Sequence, residues 1–106
     1  VYISQHMRTL SEPERLRCLK MVARDISLMF SHNVLHKDLH LKNILLMSSD
    51  PSHIYWIDND LRKTSRREII NRKEAILKRL MVNISFCSDK EKKFFIDELF
   101  SSFHTE

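Results

Sequence analysis

The sequence predicts a mostly α-helical α+β fold with one small β-hairpin, and three observations carry that prediction. Two stretches of about twenty residues repeat apolar side chains at helical spacings of three and four. A third, shorter stretch near the C-terminus does the same. Between the first two, a pair of short apolar runs flanks a turn-forming cluster, as a hairpin requires.

The chain opens on Val1-Tyr2-Ile3, a β-branched and aromatic run that reads as a strand entered part-way; with no Met at position 1, a cut N-terminus is expected. Ser11-Glu12-Pro13-Glu14 then forms a capping-box signal: the Ser11 hydroxyl can accept from the Glu14 amide while the Glu14 carboxylate reaches back. Leu16, Leu19, Ala23, Ile26 and Phe30 follow on one helical face, widened by Val22 and Met29, so a helix is expected over about 12–31. Asn33 stands where a left-handed cap is wanted, in a chain with no Gly at all. Val34-Leu35 and Asn43-Ile44-Leu45-Leu46-Met47 are short apolar runs on either side of a polar loop, Lys37 to Lys42. Ser48-Ser49-Asp50-Pro51-Ser52 is a turn cluster, and Ile54 to Ile57 completes a hairpin over about 44–58 whose second strand ends on Asp58. That arrangement places Asn43 and Asp58 at neighbouring hairpin ends. Arg62 to Arg67 reads as a polar linker. Ile69, Ile70, Ile76, Leu77, Leu80, Met81 and Ile84 predict a helix over about 64–84. Ser88-Asp89-Lys90-Glu91 is a second capping box, opening a helix over about 88–103 with Phe95, Ile96, Leu99 and Phe103 on one face. The five phenylalanines after Phe30 read as core or helix contacts, not ligand contacts.

At 106 residues and 42% hydrophobic content the chain fits a single domain, 1–106, with a modest core. The net charge of +4 arises from 18 Lys and Arg against 14 Asp and Glu, with a local cluster at Arg62, Lys63, Arg66 and Arg67. It suits an anionic partner such as nucleotide phosphate, a phosphorylated glycolipid or an acidic membrane face, and equally an ordinary solvated surface. Nothing points to nucleic acid. Cys18 and Cys87 belong to no C-x-x-C pair, which argues against a disulfide framework or zinc site and for a reduced, cytoplasmic setting. No run approaches the roughly 18 apolar residues of a membrane span, so any contact with the inner membrane face is expected to be peripheral.

The chemistry concentrates between His36 and Asp60. Phosphoryl transfer from ATP asks for a carboxylate beside the acceptor hydroxyl and for hard oxygen ligands to magnesium. Asp38, Asn43 and Asp58 are suited to those tasks, from the two ends of one loop and the end of the adjoining strand. His36, Asp38, Leu39 and Asn43 reproduce H-x-D-L-x-x-x-N and so resemble the catalytic loop of kinases. Where protein kinases carry a lysine two positions after the loop aspartate, His40 stands. Ile57-Asp58-Asn59-Asp60 followed by Arg62 is similar to the Asp-Phe-Asp-Arg stretch of the lipopolysaccharide core (Kdo and heptose) kinase family. Asn71-Arg72, Leu77-Lys78-Arg79-Leu80 and Phe94-Phe95 also look like that family's tail.

This resemblance implies a kinase-like C-terminal lobe without its N-terminal lobe, which is expected in cis. It implies that Asp38 orients or deprotonates a sugar hydroxyl and that Asn43 and Asp58 hold magnesium on ATP. His36 would brace the loop, Lys37 would occupy the position of the usual arginine, and Asp60 would add a carboxylate to the metal or the acceptor. The acceptor is expected to be a sugar or glycolipid such as the lipopolysaccharide core. The chain departs from the wider kinase pattern in having no Gly-rich phosphate loop, so by itself it is expected to hold ATP poorly. Rival readings are a small-molecule kinase of the aminoglycoside or choline type, a protein kinase, a non-catalytic binding module using Arg62 to Arg67, and a metal site at His36, Asp38 and His40. His32, His53 and His104 are assigned no role.

Overall fold

A computed structural model describes residues 2–36, 39–47, 50–57 and 60–103, with the side chains at 47, 50–52 and 102 outside the description. The fold is mostly helical with two small antiparallel sheets. Its elements run in order α1 (Ile3–Met7), α2 (Glu12–Ser31), β1 (Val34–His36), a 3-10 turn (Leu41–Asn43), β2 (Ile44–Met47), β3 (Asp50–Trp56), β4 (Leu61–Lys63), α3 (Arg66–Asn71), α4 (Lys73–Asn83), α5 (Asp89–Leu99) and a second 3-10 turn (Ser101–Phe103).

The N-terminal strand expected at Val1-Tyr2-Ile3 is corrected. Tyr2 is extended and bridges to Leu45, but Ile3 begins a helix. Ile3 and Met7, one turn apart, are both fully buried, and that burial overrides the β-branched preference of the opening residues. Val1 lies outside the described residues.

Helix α2 spans Glu12–Ser31 and buries Cys18, Leu19, Val22, Ala23, Ile26 and Phe30. Ser11 is its N-cap residue, yet its hydroxyl donates to the Glu14 carboxylate at 2.8 Å instead of accepting from the amide. At the other end Asn33 takes the left-handed conformation at φ 57°, and its amide donates to Phe30 O at 3.0 Å. This reverses the chain into β1 without a glycine.

The polar linker expected at Arg62 to Arg67 is in part a strand. Val34 pairs with Lys63, Leu35 with Arg62 and His36 with Leu61, so β1 and β4 form a ladder that the charged, exposed β4 sequence does not announce. The expected hairpin is β2 and β3, with Ile44 opposite Trp56, Leu45 opposite Tyr55 and Leu46 opposite Ile54, then an irregularity between Leu46 and Met47.

The helix expected over about 64–84 is divided at Arg72, whose φ of −95° and ψ of 3° separate α3 from α4. Ser65 caps α3, accepting from the Glu68 amide at 3.1 Å. Ile69, Ile76 and Leu80 are buried, whereas Ile70 is half exposed. Ser88 caps α5 by accepting from the Glu91 amide at 3.2 Å. The Glu91 carboxylate accepts from Arg15 of α2 at 3.0 and 2.7 Å.

The core lies between α2 and α5, where Phe95 and Leu99 are fully buried. Phe30, Phe100 and Phe103 pack with ring centroids 5.7–6.2 Å apart. Cys18 and Cys87 are free, buried thiols. Burial pushes the Cys87 thiol up to about 12, helped by its hydrogen bond to Glu91. Among the described residues no helix is long and apolar enough to cross a membrane.

Candidate functional site

The two sheets are joined by two chain segments. Residues 37–43 lead from β1 to β2, and residues 57–60 lead from β3 back to β4. At one end His36 faces Leu61, and at the other Ile44 faces Trp56. Antiparallel partners hold their Cα atoms about 4.5–5.5 Å apart, so both segments begin and end side by side. A further bond closes the hairpin end: the Ile57 amide donates to Asn43 O at 2.9 Å.

Of the predicted site residues, His36, Asn43, His40 and Asp60 are described. Lys37, Asp38 and Asp58 lie outside the described residues. Asn43 ends the 3-10 turn and is half buried. Asp60 is exposed immediately before β4.

His36 is 2% exposed, with its ring 5.4 Å from the Trp56 ring at a tilt of 31°. Trp56 in turn donates from its indole nitrogen to Asp25 Oδ2 of α2 at 3.2 Å. The entrance to the loop is thereby anchored, through an aromatic contact and one polar bond, to the longest helix.

His40 is the N-cap of the 3-10 turn. Its Nδ1 accepts from the Lys42 amide at 3.2 Å, which requires that nitrogen to be unprotonated in this arrangement. The next amide, Leu41 N–H, donates to Asn83 Oδ1 at the end of α4, 3.1 Å away. Leu41 itself is fully buried. The turn that delivers Asn43 is therefore held from within by His40, from α4 by Asn83, and from below by Leu41.

Asn83 and Asp25 escaped the sequence reading. Asn83 carries a weak signal, as a polar residue at the end of a helical stripe. Asp25 has none, because its partner Trp56 lies far along the chain.

The basic cluster Arg62, Lys63, Arg66 and Arg67 divides. Arg66 stacks over Phe103 at 4.5 Å and donates to Phe103 O at 3.4 Å. Arg62 and Lys63 instead line a hollow of 200 Å³ together with Leu35 and Arg72. A larger cavity of 610 Å³ between α1 and the end of α4 is lined by Lys42 and Asn83. Among the described residues no group of three His, Cys, Asp or Glu side chains gathers as a metal site.

The model of the lipopolysaccharide kinase (Kdo/WaaP) family matches residues 1–96, a range that contains the loop, both sheets and most of α5. No curated protein and no solved structure matches the chain.

Proposed function

The chain belongs to the lipopolysaccharide kinase (Kdo/WaaP) family, and from that premise we propose that it is the kinase-like C-terminal lobe of an enzyme moving the ATP γ-phosphate to a lipopolysaccharide core sugar. At the level of the family the activity is phosphate transfer in lipopolysaccharide biosynthesis, with ATP as donor and a sugar or glycolipid as acceptor. The finer assignment of residues rests on one observation. The bond from Ile57 N to Asn43 O, 2.9 Å, ties the exit of the loop to the residue immediately before Asp58.

In this reading Asp38, two residues beyond the buried His36, orients the acceptor hydroxyl and takes its proton as that oxygen bonds to the γ-phosphorus and the bond from phosphorus to the departing ADP oxygen breaks. Asn43 and Asp58 present an amide oxygen and a carboxylate, an oxygen-only set suited to magnesium, and exposed Asp60 offers a second carboxylate close by in sequence. Magnesium bound there would neutralise phosphate charge during transfer. His36 braces the loop against Trp56, and His40 shapes the turn that delivers Asn43. Lys37 adds a positive charge to the loop but cannot make the bidentate contacts of an arginine.

Because the chain contains no glycine, covering the phosphates with a Gly-rich loop is assigned to an N-terminal lobe in cis. The enzyme is placed in the cytoplasm, where ATP is available, with peripheral contact to the inner membrane where the glycolipid lies.

The test is phosphate transfer to core oligosaccharide by the protein carrying its nucleotide-holding lobe. Asp38→Asn is expected to lower turnover about 10²–10⁴-fold, the usual contribution of a positioned general base, while ATP binding changes little. Undiminished turnover would sink the assigned role.

A further inference from the structure

The chain has one tryptophan, and several constraints meet on it. The backbone of Trp56 pairs with Ile44, the residue after Asn43, and the next amide, Ile57 N–H, donates to Asn43 O at 2.9 Å. Its ring lies 5.4 Å from the ring of His36, which stands two residues before Asp38. Trp56 is itself two residues before Asp58. By pairing, by ring contact or by chain, it adjoins each of the three segments that carry Asp38, Asn43 and Asp58.

The orientation of that ring is set from outside the sheet. Side chains alternate along β3, so Ile54 and Trp56 pack on the core while Tyr55 and Ile57 are exposed. On the core side the indole nitrogen donates to Asp25 Oδ2 of α2 at 3.2 Å. Asp25 is carried by a stretch of α2 whose Val22, Ala23 and Ile26 are fully buried, so its own place is fixed by core packing. An aliphatic residue at position 56 could fill the same space, but it has no N–H through which the helix could orient it. We infer that Trp56 is a positioning residue for phosphate transfer: oriented by Asp25, it sets the spacing between the loop bearing Asp38 and the hairpin end bearing Asn43 and Asp58. It touches no substrate in this role. The inference deepens the phosphotransfer reading and rests on it for what those three residues do; the coupling from Asp25 to the loop can be measured without turnover.

The experiment is a double-mutant cycle on the protein carrying its nucleotide-holding lobe, with core oligosaccharide as acceptor. Trp56→Phe keeps a ring against His36 but has no N–H, and Asp25→Ala removes the acceptor; both delete the same bond. Each is expected to lower kcat about three- to tenfold with little change in KM for ATP. The double variant should be no worse than either single change, because the second substitution finds the bond already gone. Trp56→Leu, which loses the ring contact as well, should cost about 10²-fold, the scale of a displaced catalytic group. A role confined to stability would lower the folded fraction and leave the turnover of folded enzyme alone. In the 106-residue chain, Asp25→Ala should shift the NMR resonances of His36 and Asn43, and should no longer do so once Trp56→Phe is present. Wild-type kcat in both single variants, defects that multiply in the double variant, or His36 and Asn43 resonances unmoved by Asp25→Ala would each overturn the inference. Asp38→Asn separates it from the catalytic assignment: undiminished turnover there defeats the role of Asp38, while the resonances still report whether Asp25 acts on the loop through Trp56.

Discussion

Glu91 is 1% exposed, and a charge so placed is tolerated only when its oxygens are satisfied. Arg15 supplies two bonds to it and turns its remaining nitrogen to Leu10 O at 2.6 Å, so one guanidinium fastens α5 to α2 and to the turn before α2. The hydrogen bond from Arg15 holds the Glu91 carboxyl below its usual range, although burial pushes the other way. A carboxyl with a depressed folded-state pKa stabilises the fold above its unfolded value, about 4.3, and that contribution disappears as pH falls through the folded value. Arg15→Ala should therefore lower the urea midpoint clearly at pH 7, and the gap to wild type should narrow progressively below about pH 4. Urea titrations at pH 7, 5 and 3.5 check this. A gap that stays constant across the series would show that packing of the arginine stem, not its charge, is what counts.

Among the elements, the short 3-10 turn Leu41–Asn43 matters most to the site, because it sets where Asn43 emerges. Three residues are too few to hold a helix by their own hydrogen bonds, so the turn depends on His40 and Asn83. Asn83→Ala removes the acceptor for Leu41 N–H. It is expected to reduce kcat of the lobe-complete enzyme about three- to tenfold, matching the loss of one hydrogen bond, with little change in KM for ATP. Asn83→Asp, which keeps the oxygen, should recover most of the rate; equal defects in the two variants would remove Asn83 from the positioning role.

The same contrast between local and distant causes explains what could be read beforehand. Helix α2 was readable because its stripe, the Ser11-to-Glu14 start signal and Asn33 all lie in the element or within two residues of its ends. The loop motif was readable because His36, Asp38, Leu39 and Asn43 fall within eight successive positions. Strand β4 was not, since Leu61-Arg62-Lys63 is exposed throughout and owes its extension to β1, about 27 residues earlier in the chain. The break at Arg72 involves no Pro or Gly and left no local mark. Glu91 carried a capping signal but was taken by a partner 76 positions away.

For the molecule as a whole, the two small sheets hang on a helical layer. Asp25 of α2 holds Trp56, Asn83 of α4 holds the loop, and Tyr2 bridges to Leu45. The layer in turn is built on the α2–α5 contact with its fully buried Phe95, extended by the Phe30, Phe100 and Phe103 rings. Two-stranded sheets are marginal alone, so the order in the loop should derive from the helices and not the reverse. Phe95→Ala should cost about 3–5 kcal/mol through lost burial and the cavity left behind. Domains of this size hold about 5–15 kcal/mol in total, so such a loss would consume a large share of the margin. Asp25→Ala, which removes the acceptor that holds Trp56, should instead leave the global urea midpoint nearly unchanged. Its effect should be faster amide exchange confined to the hairpin amides of Leu45, Leu46, Tyr55 and Trp56. Hydrogen exchange followed by NMR separates the two levels. If Asp25→Ala accelerated exchange in α2 and α5 to the same degree as in the hairpin, helices and sheets would open as one unit and the dependence of the loop on a separate helical layer would fail.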